Sequence, residues 1–310
     1  GAICLVILFG SAWFTRDRIP YLPKPAPNLP KFSPMEFFRD IAKAFGNRNY
    51  VWLLVAYFFL SCMLGLRLGL HLYTNTFYWQ LSSEQLRWFV IGSFAGYAAA
   101  FYMAARLHGR YDKKRVMIIS SVIFALMPGL PLMLGTLGIM TPGMPFLLET
   151  LIFFAVIQYG AMSVLSISVM SALADIADEN ELKHNLRQEG ILYSTRALAA
   201  KVDQAIGSAL AGFVLMLIAF PEKAQPGQVS PEVLHQLAMW EGWYATIPGL
   251  IAAYFYAKYG INKDSFEATR AALAERRGAE ISAPIATAAS AGVNVAEPVV
   301  PEIPPSPARG

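Results

Sequence analysis

Apolar residues in this sequence run in long, nearly unbroken stretches rather than in the one-sided stripes of helices that border water. Six stretches, residues 51–77, 86–107, 116–137, 146–173, 191–220 and 240–259, have the length of tilted transmembrane helices, because crossing a hydrocarbon layer of ~30 Å takes about 20 residues of helix. A helix also satisfies its own backbone polar groups, which lipid cannot do. Residues 1–14 form a shorter apolar run, expected to be the end of a truncated transmembrane helix. Its basic flank, Arg16 and Arg18, follows the run, whereas a cleaved leader carries it in front. Residues 15–50 are punctuated by Pro20, Pro23, Pro25, Pro27 and Pro30. Ser33-Pro34 then opens an amphipathic stretch with Phe37, Phe38, Ile41 and Phe45, which predicts a stiff cytoplasmic linker followed by a capped surface helix. Residues 261–310 lose apolar periodicity and become rich in Ala, Pro, Val and Ser, the composition of a disordered tail. The expected fold is an all-α transmembrane helix bundle of six full spans in residues 51–260, preceded by the end of another.

Composition supports lipid as the solvent: 55% of the residues are hydrophobic and 15% charged, more apolar material than a soluble core of this size needs. The net charge of +4 does not point to nucleic acid, because the basic residues sit in short blocks beside apolar runs, as membrane topology requires. Threading the spans alternately puts Arg16, Arg18, Lys24, Lys31, Arg39, Lys43, Arg48, Arg106, Arg110, Lys113, Lys114, Arg115, Lys183 and Arg187 on one side. The other side holds little beyond Arg87 and Lys223. The bias predicts a multi-pass membrane protein with the first linker, the 106–115 and 174–190 loops and the carboxy terminus in the cytoplasm. Trp79, Trp88, Trp240, Trp243, Tyr254 and Tyr259 lie near span ends, where interfacial anchors belong. Cys4 and Cys62 read as packing residues, and the four histidines fall in unrelated segments without metal-ligand spacing. With no catalytic triad or phosphate loop either, neither an enzyme nor a resident cofactor is expected.

Two helical faces carry chemistry. Lys201 lies about ten residues inside an apolar span, a depth at which an ionisable group costs several kcal/mol unless it meets a wet cavity or a partner. Ser194, Lys201, Gln204 and Ser208 share a face and suggest a cavity lining; the bland alternative has Lys201 snorkelling to the interface. Asp203 lines up instead with Arg196 as a structural contact. In the first full span Arg67, His71, Thr74 and Tyr78 share a face: either they line a cavity, or Arg67 anchors to the outer interface or pairs with a carboxylate outside this sequence. Gly92, Gly96, Ala100 and Ala104 recur every four residues and predict close helix packing. Pro128 with Pro131, and Pro248 with Gly249, are expected to kink their spans.

The most charged segment, residues 174–201, reads ALADIADENELKHNLRQEGILYSTRALAAK. Its Ala174, Asp175, Asp178, Glu181, Arg187, Glu189, Tyr193, Ser194 and Lys201 match, without a gap, a motif of the glycoside, pentoside and hexuronide cation symporters of the major facilitator superfamily, and the chain resembles that family more loosely over residues 16–259. Glu179-Asn180 stand where the family usually has Tyr-Gly. The resemblance implies a major-facilitator-type bundle, the carboxy-terminal half of twelve spans, partnered by an amino-terminal half that holds the coupling-cation carboxylates and most sugar-binding residues. Lys201 is the chief site residue carried over. Asp175, Asp178, Glu181, Arg187 and Glu189 lie at the mouths of two helices, as a cytoplasmic gate of ion pairs or as a solvated charged loop that sets topology.

The resulting expectation is a secondary active transporter that moves a sugar, glycoside or similar small polar solute with Na+ or H+ by alternating access, binding near the midplane. Its partners are the lipid bilayer, the solute and the amino-terminal half, with no nucleic acid. A lysolipid transporter of the same fold, or a non-transporting membrane protein that docks a cytosolic partner, are the competing readings.

Overall fold

The computed structural model describes residues 2–16, 34–184, 189–262 and 265–276. Two compact units divide the chain, residues 1–39 and residues 40–310. The linker prolines, Arg187 and the expected disordered tail beyond residue 276 lie outside the described residues. In the first unit α1 (Ala2–Thr15) is a helix of 14 residues. Next, α2 (Pro34–Phe45) starts on a proline, whose missing N–H is no loss at a helix start.

The second unit continues with α3 (Arg48–Tyr73), which runs straight into a π-helical turn, Thr74–Tyr78. A short turn of helix, α4 (Ser83–Leu86), leads to α5 (Trp88–Arg110), α6 (Lys113–Leu126), α7 (Leu130–Thr136), α8 (Leu147–His184) and α9 (Glu189–Leu217). Last come α10 (Pro231–Met239), a second π-helical turn, Trp240–Tyr244, and α11 (Thr246–Ala257), a segment outside the spans that length and hydropathy define among the described residues. A further helical stretch covers 265–276. Among the described residues there is no strand.

Four helices are singly long and apolar enough to cross a membrane, Arg48–Tyr78, Ser83–Arg110, Leu147–Lys183 and Leu192–Leu217, and α6 with α7 makes a fifth span bent by 40°. That bend falls at 127–129, at the position of Pro128, as its sequence predicts. The expected kink at Pro248 is displaced. Pro248 lies in the first turn of α11, where a missing N–H is cheap, and the interruption falls just before it, at the π turn and Ala245. The sixth apolar stretch also begins earlier than residue 240, at Pro231, capped by the Ser230 hydroxyl, which accepts from the Val233 N–H.

Packing follows the small residues. The buried positions of α5 are Gly92, Gly96, Ala100 and Ala104, and a Cβ placed on Gly96 would stand 2.6 Å from the Val156 carbonyl oxygen of α8. A side chain there would push the helices apart, so the four-residue stripe is a helix contact. α3 packs chiefly on α9 and α11, and α6 on α8 and α11. The largest core cluster joins Leu53 and Met63 of α3, Met117 and Phe124 of α6, Leu173 and Ile176 of α8 and Tyr256 of α11. Outward faces carry exposed Phe94, Phe101, Leu198 and Phe213, a surface suited to hydrocarbon and unsuited to water. Two expected interfacial anchors are instead core residues: Trp79 packs with Leu132 and Leu147, and Tyr259 with Ala172, whereas Trp88, Trp243 and Tyr254 are exposed. Cys62 is buried as expected of a packing residue, and Cys4 is exposed.

Residues 174–184, expected to be a charged loop, are helical: α8 continues without a break to His184. Its charges therefore project from a helix and meet the starts of its neighbours. Asn47 caps α3 by accepting from the N–H groups of Asn49 and Tyr50, while its amide donates to Glu179 at 3.0 Å and to Asn180 at 2.8 Å. Asn49 donates to the same Glu179 oxygen and accepts from the Gly260 N–H. The starts of α3 and α6 and the ends of α8 and α11 thus gather at one end of the bundle, the basic end. The departure Glu179-Asn180 is a polar clasp among three helices.

Candidate functional site

Of the stripe Arg67, His71, Thr74 and Tyr78, the first three meet one buried carboxylate, Glu241. Arg67 turns inward between helices and is only 5% exposed. Its Nη2 donates to the Ala125 carbonyl at 2.9 Å and to the Thr246 hydroxyl at 2.7 Å. Gly129 makes room for it, since a Cβ there would stand 3.0 Å from Arg67 Nη2 and 2.6 Å from the Gly242 carbonyl oxygen. The guanidinium is packed between helices and borders none of the described clefts. Nε and Nη1 meet no acceptor among the described residues. A charge so enclosed needs a counter-charge nearby.

That counter-charge is Glu241, which acts electrostatically on Arg67 and is 2% exposed. One carboxylate oxygen lies 3.4 Å from His71 Nδ1, and the other accepts from the Thr74 hydroxyl. His71 Nε2 faces the Asn75 side-chain amide at 3.0 Å. The two π-helical turns hold this cluster: Thr74 and Asn75 lie in the first and Glu241 in the second. A π turn inserts a residue and rotates the rest of the helix about its axis, and such turns recur at functional sites. Thr74 and Asn75 share the face of His71 at the ordinary helical spacings of three and four residues.

The cluster borders a narrow cleft. Aromatic Trp79, Phe89, Phe154 and Tyr159 and polar His71, Asn75, Gln158 and Glu241 line it, with Pro128 and Pro131 at the bend of the fifth span. Flat apolar rings beside amide and carboxylate groups suit a solute with both a hydroxylated edge and an apolar face. Sequence reasoning missed Glu241. The signal was available, because an acidic residue within an apolar segment invites the same question as Lys201, but placing the span start at residue 240 put Glu241 at the membrane boundary.

A second narrow cleft lies toward the basic end, bordered by Tyr57 and Ser61 of α3, Ser166 of α8, Arg196 of α9 and Tyr256 of α11. Arg196 stacks its guanidinium on the Tyr57 ring at 4.4 Å and points Nη1 at Met170 Sδ. The expected partner Asp203 has its side chain outside the described residues. Ser194, Lys201, Gln204 and Ser208 are all exposed on α9. They share a face as expected, and border neither cleft.

Among the gate residues, Asp175 is 4% exposed and accepts from Lys113 Nζ at 2.8 and 2.7 Å. Asp178 and Glu181 are half-buried on the same helix. Arg187 and the Glu189 side chain lie outside the described residues. The carboxylate that Lys183 holds, at 2.6 Å, is Glu179. The described ion pairs at this end therefore link α8 to itself and to α6. Among the described residues no group of three or more His, Cys, Asp or Glu could hold a metal ion.

Fold and site define an all-α membrane protein of several spans, with a charged cluster enclosed among them beside a cleft. The chain belongs to the MFS/sugar transport protein family, whose pattern it matches over residues 1–263, and its fold is the helix bundle of the major facilitator superfamily. It is also similar to an uncharacterized 29.9 kDa protein of Pseudescherichia vulneris, 27% identical over 197 residues that cover 63% of this chain. The chain spans 65% of the length of that relative.

Proposed function

We propose that this chain is the carboxy-terminal half of a secondary active transporter that moves a sugar, glycoside or similar small polar solute in symport with Na+ or H+ by alternating access. The observation that carries the reading is Glu241. A carboxylate buried within an apolar helical segment, with the Thr74 hydroxyl on one oxygen and the His71 ring beside the other, and bordering a cleft of aromatic and amide side chains, is the arrangement a coupled carrier needs. Family membership supports it. In this reading the basic end faces the cytoplasm of a bacterial cell, and an amino-terminal half covers the exposed face of α9. Lys201, Ser194, Gln204 and Ser208 then meet the solute at the shared midplane, and rocking of one half against the other exposes the cleft to each side in turn.

Uptake by the complete protein in proteoliposomes tests this, with a panel of labelled sugars and glycosides under imposed pH or Na+ gradients. Accumulation of at least one, lost in Glu241→Gln, is the expected result. A lysolipid is the second reading, favoured by the apolar border that Leu68, Leu72, Leu86 and Val90 give a groove reaching His71 and Asn75. If a lysolipid is moved and no sugar or glycoside is, that reading replaces the first.

A further inference from the structure

We infer that the second cleft is a carboxylate-binding site, and that the solute carried is an acid held there by Arg196 and the Tyr256 hydroxyl. That the bound acid is a transported solute rests on the transport reading; the site itself rests on geometry. Two polar groups bordering this cleft are enclosed without a partner. The Tyr256 side chain is 0% exposed, and its hydroxyl meets no hydrogen-bond partner among the described residues. Arg196 Nε is enclosed and unpartnered in the same way. The Arg196 charge acts on the Tyr256 hydroxyl, so the two groups address one space. Leaving one buried donor unmet is costly, and two facing each other across a cleft mark a place for an acceptor.

The guanidinium is held for that purpose. Its flat face stacks on the Tyr57 ring at 4.4 Å, and Nη1 points at Met170 Sδ, a weak acceptor, at 3.7 Å. The stack fixes the plane of the fork and leaves the Nε edge toward the cleft. Among the described residues that line the cleft, Arg196 is the one cation and there is no carboxylate. Arg67, the other enclosed guanidinium, has Glu241 as its counter-charge; the second cleft offers Arg196 nothing comparable. A cation set against apolar groups such as Phe124 calls for an anion.

A ligand carboxylate supplies both missing partners, since its oxygens can accept from Arg196 Nε and from the Tyr256 hydroxyl at once. The guanidinium fork matches the planar carboxylate. A phosphate monoester carries nearly two negative charges at neutral pH, more than one guanidinium balances, and an uncharged sugar leaves the cation unbalanced. Ser61 and Ser166 remain for hydroxyl groups on the same ligand, and Ser166 is exposed, so the cleft has an open side. The amino-terminal half, to which the family resemblance assigns most sugar-binding residues, is left to hold the rest of the solute.

Thermal unfolding of the complete protein in lipid nanodiscs tests the site, with acetate, gluconate and glucuronate as probes. Glucose, the methyl ester of glucuronate and inorganic phosphate are the controls, at matched ionic strength. The carboxylates should raise the unfolding temperature with concentration, as ligands of the folded state do, and the controls should not. Tyr256→Phe removes the unpartnered hydroxyl and keeps the ring. Alone it should leave the unfolding temperature unchanged or higher, yet it should weaken carboxylate binding about tenfold. Arg196→Gln should abolish the response, and Arg196→Lys, which keeps the charge and loses the fork, should restore part of it. A structural role for Tyr256 predicts the reverse, lower stability with unchanged carboxylate affinity, and that result overturns the proposal. So does a response that is absent, that glucose or the ester equals, that phosphate exceeds, or that survives Arg196→Gln. If carboxylates bind through Arg196 and no solute moves in proteoliposomes, the transport reading fails and the site stands. If a neutral sugar accumulates while acids neither bind nor move, the transport reading stands and this inference fails.

Discussion

Lys113 Nζ, at the start of α6, lies 2.8 and 2.7 Å from the two carboxylate oxygens of Asp175 near the end of α8. The pair is sheltered, with Asp175 4% and the Lys113 side chain 26% exposed. Removing one partner strands the other charge: Lys113→Met should lower stability by about 3 kcal/mol. Lys113→Met with Asp175→Asn should recover most of that loss, since no charge is then left uncompensated. Thermal unfolding in detergent measures both, and equal losses in the single and double variants would assign the effect to packing.

Asn47 serves α3 twice, as its cap and as a donor to Glu179 and Asn180. Asn47→Ala should cost about 1 to 2 kcal/mol for the cap alone and a further amount for the clasp. Asn47→Asp keeps the cap but sets a second carboxylate against Glu179, so it should also destabilise, and more at low salt. A variant Asn47→Asp as stable as the original chain at every salt concentration would mean that the clasp contributes nothing.

Gly65 and Gly207 let α3 and α9 touch backbone to backbone, and a Cβ on Gly65 would stand 2.7 Å from the Gly207 Cα. Gly65→Val should therefore separate the helices, at a cost of at least about 1 to 3 kcal/mol, with faster limited proteolysis. Gly109→Val, whose added Cβ would meet nothing within 4 Å, should have little effect. Similar protease resistance in both variants would contradict the tight crossing.

Lys201 and Arg67 should separate by assay. Lys201 is exposed on α9, so Lys201→Ala should leave thermal stability within about 0.5 kcal/mol and abolish uphill accumulation of solute by the complete protein. Arg67→Ala removes an enclosed guanidinium and leaves Glu241 facing no fixed positive charge, so it should lower stability by about 3 kcal/mol. Normal accumulation by Lys201→Ala would end the role proposed for that residue.

Orientation is open to labelling. With Cys4 replaced by serine and Cys62 buried, a cysteine placed at Arg110 should be shielded from impermeant thiol reagents in intact cells, and one at Gly227 should react. Reaction at Arg110 would invert the topology.

How far the sequence reaches is clearest from particular residues. Hydrophobic run length alone determined that the chain spans a membrane, and the small-residue repeat Gly92, Gly96, Ala100, Ala104 identified a helix contact without knowledge of its partner, because both are properties of one helix. The charged motif of residues 174–201 pointed to the family. What only the tertiary structure decided involves pairs far apart in the chain. His71 and Glu241 are 170 positions apart, and Asn47 and Glu179 132; no local period encodes either. The approach of the two segments that hold the π-helical turns decides which side chains share the cluster, since it sets Glu241 against Thr74 and His71. The stripe Arg67, His71, Thr74, Tyr78 assumed one straight helix facing one environment. Gly129, at the bend, leaves room for the Arg67 guanidinium, and a carboxylate distant in sequence, Glu241, supplies what the stripe faces. Apolar length is a sum over neighbours in sequence and survives such changes, whereas a site depends on the rotation and approach of several helices at once.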